Sequence, residues 1–366
     1  MKLEVGRNEL FGALQAVIGV VERRQTLPVL SNLLLQASEG ELILTGTDLE
    51  LELISRAIVQ TEVEGKITVP ARKLFDICRG LPEGANIRLE VSGDKMLVRS
   101  GKSRFTLSTL RAEEFPAMSI NAGGSELTLT QKVLRGLIER TQFAMAAQDV
   151  RYYLNGLLLH VLPTGVRAVA TDGHRLAMSE IEMDTGIAEA TQIILPRKTV
   201  LELQRLLDST DENISLRITE GQIQADLDII RLTSKLIDGR FPDYERVVPE
   251  GGDKLLVADR ETVRQALSRA AILSNEKFRG VRLQLEDNRL KLSTQNPEHE
   301  EAEEELEVEY DGEALEIGFN VTYLLDALGV VQTEQFQMSL KSADASGLIK
   351  EVDGSASKYV VMPMRL

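Results

Sequence analysis

Asp172-Gly-His174 is the tripeptide of this chain best supplied for chemistry. A carboxylate beside an imidazole is half of a proton relay, and with a serine in reach it would hydrolyse an ester or amide. The other half is missing. The remaining histidines, His160 and His299, show no metal-ligand spacing, and Cys78 is the only cysteine. A single cysteine excludes both a cysteine metal site and a disulfide within the chain. The sequence holds no GxxxxGK[ST], no GxGxxG after a strand, no GxSxG and no HExxH. An earlier stretch, Thr47-Asp-Leu-Glu50, resembles Thr171-Asp-Gly-His174 but has no histidine. The position therefore reads first as a turn or binding residue. No catalytic residue, metal or cofactor is expected.

That echo belongs to a larger pattern. Pro28-Val-Leu-Ser-Asn-Leu-Leu-Leu35 leads into Thr45-Gly-Thr-Asp-Leu49, as Arg151-Tyr-Tyr-Leu-Asn-Gly-Leu-Leu-Leu159 leads into Ala170-Thr-Asp-Gly-His174. Val69-Pro-Ala-Arg-Lys73 returns as Leu195-Pro-Arg-Lys198 and again as Gly318-Phe-Asn-Val-Thr322. Phe115-Pro116 returns as Phe241-Pro242, and Met362-Pro363 closes a third copy. The offsets lie near one third of the 366 residues, which is the size of an ordinary domain and far beyond a solenoid repeat. Three similar domains are expected, at 1–123, 124–251 and 252–366.

Each copy opens with a helix-period segment. In the first, Leu10, Leu14, Val17 and Val21 recur at three- and four-residue steps. Its partners run from Lys132 to about Phe143 and from Arg260 to about Leu273. A second helix carries Leu74, Ile77, Cys78 and Leu81 in copy one, and Val321, Leu324, Leu325 and Leu328 in copy three, with Pro70 and Pro196 just ahead of such helices. The remainder alternates with period two, as in Ile87, Leu89 and Val91, or Ile214, Leu216 and Ile218. The fold class is therefore α+β: antiparallel strands with two helices on one face of each domain. No apolar run approaches the roughly 18 residues that span a bilayer, and Met1-Lys-Leu-Glu-Val lacks the apolar stretch of a signal peptide. A cytoplasmic protein is expected.

The formal charge is −15, which ordinarily argues against nucleic acid. Its distribution argues the other way. Residues 72–79, 132–140 and 197–205 each carry net +2, and residues 260–279 carry net +3. Basic helices at equivalent positions suit contact with a phosphate backbone and no reading of bases. A second charge feature runs from Glu298 to Glu309, with eight glutamates in twelve residues. By itself it reads as a solvated acidic segment, and its order is left open. The matching region of copy one, Arg99 to Leu107, is basic and holds Phe105 and Leu107. Complementary ends favour head-to-tail assembly, with Phe105 and Leu107 expected against Ile272 and Leu273.

Several blocks together carry a resemblance that covers the whole chain. They are Val69-Pro-Ala-Arg-Lys-Leu-Phe-Asp-Ile-Cys-Arg-Gly-Leu-Pro82, Arg151-Tyr-Tyr-Leu-Asn-Gly156, Thr171-Asp-Gly-His-Arg-Leu-Ala177, Asp238-Gly-Arg-Phe-Pro-Asp-Tyr244, Ala271-Ile-Leu-Ser-Asn-Glu-Lys-Phe-Arg-Gly280 and Tyr359-Val-Val-Met-Pro-Met-Arg-Leu366. They resemble the bacterial sliding clamps, the beta subunits of DNA polymerase III. The resemblance implies the DNA clamp fold in a head-to-tail homodimer, a ring around duplex DNA with helices lining the hole. It implies a non-catalytic processivity factor, loaded by a clamp-loader ATPase, that tethers the replicative polymerase and other replication and repair proteins. It also implies sites. For DNA these are Arg24, Arg72, Gln148, Tyr152 and Tyr153, although Tyr152-Tyr153 alone reads as a strand pair. For a peptide-binding pocket they are Leu154, Thr171, Gly173, His174, Arg175, Leu176, Pro242, Arg246, Val247, Asn320, Tyr323 and Ser346, with the terminal run Val360, Val361, Met362, Pro363, Met364, Arg365 and Leu366. A flexible thioether lets one pocket adapt to many peptides. In this reading His174 is a pocket wall.

Overall fold

The computed structural model describes residues 1–22, 27–352 and 356–365. Arg24 and Leu366 lie outside the described residues. The chain divides into two compact units, one of Met1–Val133 with Leu201–Leu236, the other of Leu134–Val200 with Ile237–Leu366.

In the first unit, strand Lys2–Gly6 leads into helix α1, Arg7–Val17, which buries Leu10, Ala13, Leu14 and Val17. The expected stripe extends past the helix: a 3-10 turn, Ile18–Val20, comes next and Val21 is extended. Helix α2, Ala71–Gly80, starts immediately after Pro70, whose missing N–H costs nothing at a helix start. It buries Leu74 and Cys78. Burial pushes the Cys78 thiol up to about 11, so it packs as an inert side chain. Two antiparallel sheets complete the unit. One has five strands, in the order Gln60–Val63, Lys2–Gly6, Asn86–Ser92, Lys95–Ser100, Ser103–Ser108. The other has eight, ordered Ser125–Thr130, Asn213–Thr219, Gln222–Leu227, Ile230–Lys235, Leu51–Ile58, Glu41–Thr47, Asn32–Ser38, Gly65–Pro70. In this larger sheet, strand Ile230–Lys235 of copy two pairs antiparallel with Leu51–Ile58 of copy one, Thr233 lying opposite Glu52.

The second unit repeats the scheme. Its nine-stranded sheet runs Thr191–Pro196, Gly156–Leu162, Gly165–Thr171, Arg175–Glu182, Lys358–Val361, Gly347–Glu351, Gln335–Leu340, Lys254–Asp259, Glu309–Asp311. Here Lys358–Val361 of copy three pairs with Arg175–Glu182 of copy two, Val360 opposite Leu176. The second sheet has four strands, in the order Glu301–Glu307, Arg289–Gln295, Gly280–Glu286, Leu315–Asn320.

The remaining helices are α3, Gln131–Glu139, α4, Arg197–Leu206, α5, Arg260–Ala270, and α6, Val321–Val330. Side chains cap three of them: Thr130 accepts from the Val133 N–H, Asp259 from the Thr262 N–H and Asn320 from the Thr322 N–H, each satisfying an orphan donor of a first turn. Helices α3 and α5 stop short of the expected Phe143 and Leu273, and 3-10 turns at Gln142–Ala144 and Ala271–Leu273 carry the rest. The acidic run, whose order the sequence leaves open, is ordered over Glu301–Glu307. Glu301–Glu307 is an edge strand in full register with Arg289–Gln295, where Lys291 and Arg269 neutralise Glu303 and Glu304.

Candidate functional site

The Thr171–Arg175 turn is built by its own side chains. The Thr171 hydroxyl donates to the Arg175 carbonyl at 2.6 Å and accepts from the Gly173 N–H at 3.1 Å. Asp172 accepts from the His174 and Arg175 N–H groups at 2.9 and 3.0 Å. Gly173 sits at φ +88°, where a Cβ is disfavoured. Asp172 therefore spends its carboxylate on the backbone and on Arg175 Nε at 3.1 Å, and the proton relay that its spacing suggested is not formed. The turn reading of Asp172 holds.

Arg175 organises the surroundings. It donates to Asp172, to Asp326 on α6 and, at 2.8 Å, to the Phe143 carbonyl. Its guanidinium lies 4.4 Å from the Tyr323 ring centroid and 5.3 Å from that of Phe143. A largely buried arginine with two carboxylates and two aromatic faces is a fixed strut. Burial raises the Tyr323 phenol above its ordinary range, and the Asp172 charge adds to this. Asp326 and Phe143 were not anticipated, because neither is near Arg175 in sequence and only the sheet and α6 bring them there.

Beside this strut lies an apolar cluster. Leu158, Val169, Leu176, Met178, Ile194, Phe241, Tyr244, Leu348 and Val360 are buried together, with Tyr153 packed against them. Its rim is exposed: Met362 is 48% accessible and Val247 45%. Pro242, Gly173 and His174 are also exposed. The terminal segment is fixed by backbone bonds, Met362 N–H to the His174 carbonyl at 3.0 Å and Met364 N–H to the Gly318 carbonyl at 2.9 Å. Exposed methionine, valine and proline above a preformed apolar floor suit the capture of short apolar side chains.

The other expected positions differ widely in their surroundings. Leu154 and Val361 are buried, and Ser346 and Pro363 are half-buried. Asn320 caps α6 and donates to the Phe278 carbonyl at 3.4 Å. Arg246 is exposed and paired with Asp243. Met364 and Arg365 flank a separate concavity of about 580 Å³ with Phe278, Arg282 and Gln295. Tyr152 and Tyr153 form a 3-10 turn with edge-to-face rings 5.9 Å apart, not the strand pair that their sequence alone suggested. Tyr152 is exposed, and Gln148, at φ +61°, is exposed as well. Arg72 donates to the Val21 carbonyl at 2.9 Å. On the basic helices, one arginine of each is matched by an acid one turn away: Arg79 with Asp76, Arg135 with Glu139, Arg205 with Glu202, Arg264 with Glu261. Phe105 is half-buried and Leu107 already buried within its own sheet, whereas Ile272 is 76% exposed and Leu273 half-buried. Among the described residues no group of three or more His, Cys, Asp or Glu could hold a metal ion, and no helix is long and apolar enough to cross a membrane.

A threefold repeat with exposed apolar residues beside a buried apolar cluster, and with Asp172 committed to a turn, is the frame of a binding protein. Comparison with known proteins gives the family. Profiles of the N-terminal, central and C-terminal domains of the DNA polymerase III beta subunit match residues 1–119, 128–243 and 245–365. Beta sliding clamps of Pseudomonas aeruginosa and Escherichia coli are 54% and 51% identical, each over the full length of both chains. A crystal structure of the Pseudomonas aeruginosa sliding clamp bound to griselimycin superposes with TM-score 0.97 at 54% identity, covering all of both chains. The chain belongs to the family of DNA polymerase III beta subunits, the sliding clamps. It is a DNA sliding clamp for DNA polymerase III, a processivity factor without catalysis of its own.

Proposed function

We propose that two copies of this chain close head to tail into a ring around duplex DNA in the bacterial cytoplasm. In this reading the copies divide near 1–123, 124–251 and 252–366, and a clamp-loader ATPase opens the ring. One observation carries it. Within the chain, the last strand of copy two joins copy one at Leu51–Ile58, and the last strand of copy three joins copy two at Arg175–Glu182. The remaining equivalents are Ser103–Ser108, last in copy one, and Glu301–Glu307 in copy three. Both are open sheet edges. Open edges are templates for pairing, and these two carry opposite charge, with exposed Lys102 and Arg104 on one and glutamates on the other. A second copy would satisfy both edges, with exposed Ile272 near the join.

Arg72, Gln148, Tyr152 and Tyr153 would meet DNA through phosphate contact and stacking, independent of sequence. The apolar cluster rimmed by His174, Pro242, Val247 and Met362 would dock peptides of the polymerase, the loader and other partners. The test is retention on DNA. Loaded protein should stay on a nicked circle and leave once the circle is linearised, and the free protein should sediment as a dimer. A monomer, or equal retention on both DNAs, would overturn the ring.

A further inference from the structure

Behind the docking rim lies a polar device that neither the turn nor the terminal segment uses. Tyr244 is 4% exposed, its ring part of the apolar cluster and its hydroxyl aimed the other way. That hydroxyl lies 2.8 Å from His160 Nδ1 and accepts from Arg167 Nη1 at 2.8 Å. Arg167 also donates to Glu180 at 2.7 Å and to Glu245 at 2.8 Å, and its guanidinium lies 5.6 Å from the Tyr244 ring centroid. His160 and Arg167 are opposite one another on adjacent strands, and Gln192 flanks His160 from the strand on its other side. Strands Gly156–Leu162 and Gly165–Thr171 thus grip the single 3-10 turn Tyr244–Arg246, on the segment that carries Pro242 and Val247.

We propose that Tyr244, gripped by Arg167 and by neutral His160, is a positioning residue that holds the Pro242–Val247 wall of the docking site in its binding form, and that acidification loosens this wall through His160. The inference rests on the docking-site reading above. A phenol has one proton to give. With Arg167 donating to its oxygen, Tyr244 donates to His160 Nδ1, so His160 must carry its own proton on Nε2. A second proton on the imidazole would turn Nδ1 into a donor. Two donors would then face one oxygen, the phenol proton would lose its acceptor, and two cations would stand side by side. The groups that face His160 from the packed elements act in different senses: Arg167 opposes the imidazolium, Glu245 favours it, Glu180 is taken up by Arg167, and Gln192 is neutral. Burial, then Arg167, holds His160 below its ordinary 6.5. The neutral form therefore prevails at neutral pH, and the grip is lost as pH falls through the lowered value.

The probe is griselimycin, with which related clamps have been crystallised. Calorimetric titration of the full-length protein at about pH 8 and about pH 5.5 spans the imidazole range. Wild type should bind the probe more weakly at the lower pH. Tyr244→Phe keeps the ring in the cluster and should bind about fivefold more weakly at the higher pH, the worth of one net hydrogen bond. His160→Asn keeps an acceptor near the Nδ1 position but cannot titrate, and it should lack the pH slope. A pH slope that survives in His160→Asn would overturn the proposal, as would wild-type affinity in Tyr244→Phe. If wild type fails to bind the probe at either pH, the docking-site reading itself falls.

Discussion

Two joins in this chain use the same backbone and opposite chemistry. At the first, Thr47, Glu52 and Thr233 stand in one cross-strand row; at the second, Thr171, Leu176 and Val360 occupy the equivalent places. The turns above them are nearly superposable in their bonding. Thr47 donates to the Leu51 carbonyl and accepts from Leu49 N–H, and Asp48 accepts from the Glu50 and Leu51 N–H groups, as Thr171 and Asp172 do in their turn. Beyond the turns the two joins diverge. Both keep one backbone bond, Lys235 N–H to the Glu50 carbonyl in the first and Met362 N–H to the His174 carbonyl in the second. The first is closed further by side chains: the Lys235 ammonium meets the Glu50 carboxylate, and Met118 N–H is taken by buried Glu52. Met118 is the counterpart of Tyr244, near the repeated Phe-Pro. In the second join that counterpart is drawn to His160 and Arg167, and the row beneath is apolar with an exposed apolar rim. One join is sealed with polar bonds, and the other keeps an exposed apolar rim, as the proposed docking of a partner requires.

Exchanging the rows should give the largest effect. Leu176→Glu places a carboxylate in the second join without the amide that Met118 supplies in the first. Burying it there should cost about 3 kcal/mol or more and abolish griselimycin binding. Urea unfolding measures the first effect and calorimetry the second. Wild-type stability together with wild-type affinity would show that the chemistry of the row does not distinguish the joins.

A smaller effect belongs to the turns. Gly173 at φ +88° corresponds to Leu49 at φ +78°. A Cβ on Gly173 would also stand 2.9 Å from the Arg151 guanidinium, although that side chain can move. Gly173→Ala should therefore cost about 1–2 kcal/mol from the backbone alone. Leu49→Gly relieves the same strain in copy one but frees the unfolded chain, and should change stability by less. A loss for Gly173→Ala no larger than the change in Leu49→Gly would mean that the threonine and aspartate bonds do not fix the turn.

Most of the architecture was legible because three copies gave three readings of each element. Strand alternation, the proline before α2 and the turn nature of Asp172 all came from that comparison. The order of the acidic run could not be read, because eight glutamates in twelve residues fit a solvated segment as well as an edge strand. Their strand register, with Ala302, Glu304 and Leu306 turned to the more covered face, emerges only when Arg289–Gln295 lies alongside. Tyr152-Tyr153 was ambiguous for a related reason, since two aromatics in a row fit a strand as well as a tight turn. The Arg175 strut and the Tyr244 grip were invisible. Their partners are scattered along the chain, and no local period links Arg175 to Asp326 or Tyr244 to His160. Such pairings are properties of sheet order, which periodicity does not encode.

The smallest effect tests the sealed join through pH. Glu52 is buried, and burial raises its carboxyl above the ordinary 4.5 despite the opposing bond from Met118 N–H. A carboxyl raised on folding stabilises the fold while protonated. Its contribution is complete below 4.5 and is lost as pH rises through the folded value, so at neutral pH the first join holds a desolvated charge. Glu52→Gln keeps an oxygen for Met118 N–H and removes that charge. The gain at neutral pH should be only about 1 kcal/mol, because the amide brings N–H groups of its own into a buried place. The clearer signature is the slope: between pH 4.5 and neutrality the stability difference between variant and parent should grow with pH. Urea unfolding across that range measures it, and exchange of the Met118 amide reports whether the bond persists. A difference that stays constant with pH would mean that Glu52 is not the titrating seal, and the polar join would then owe its closure to Lys235 and Glu50.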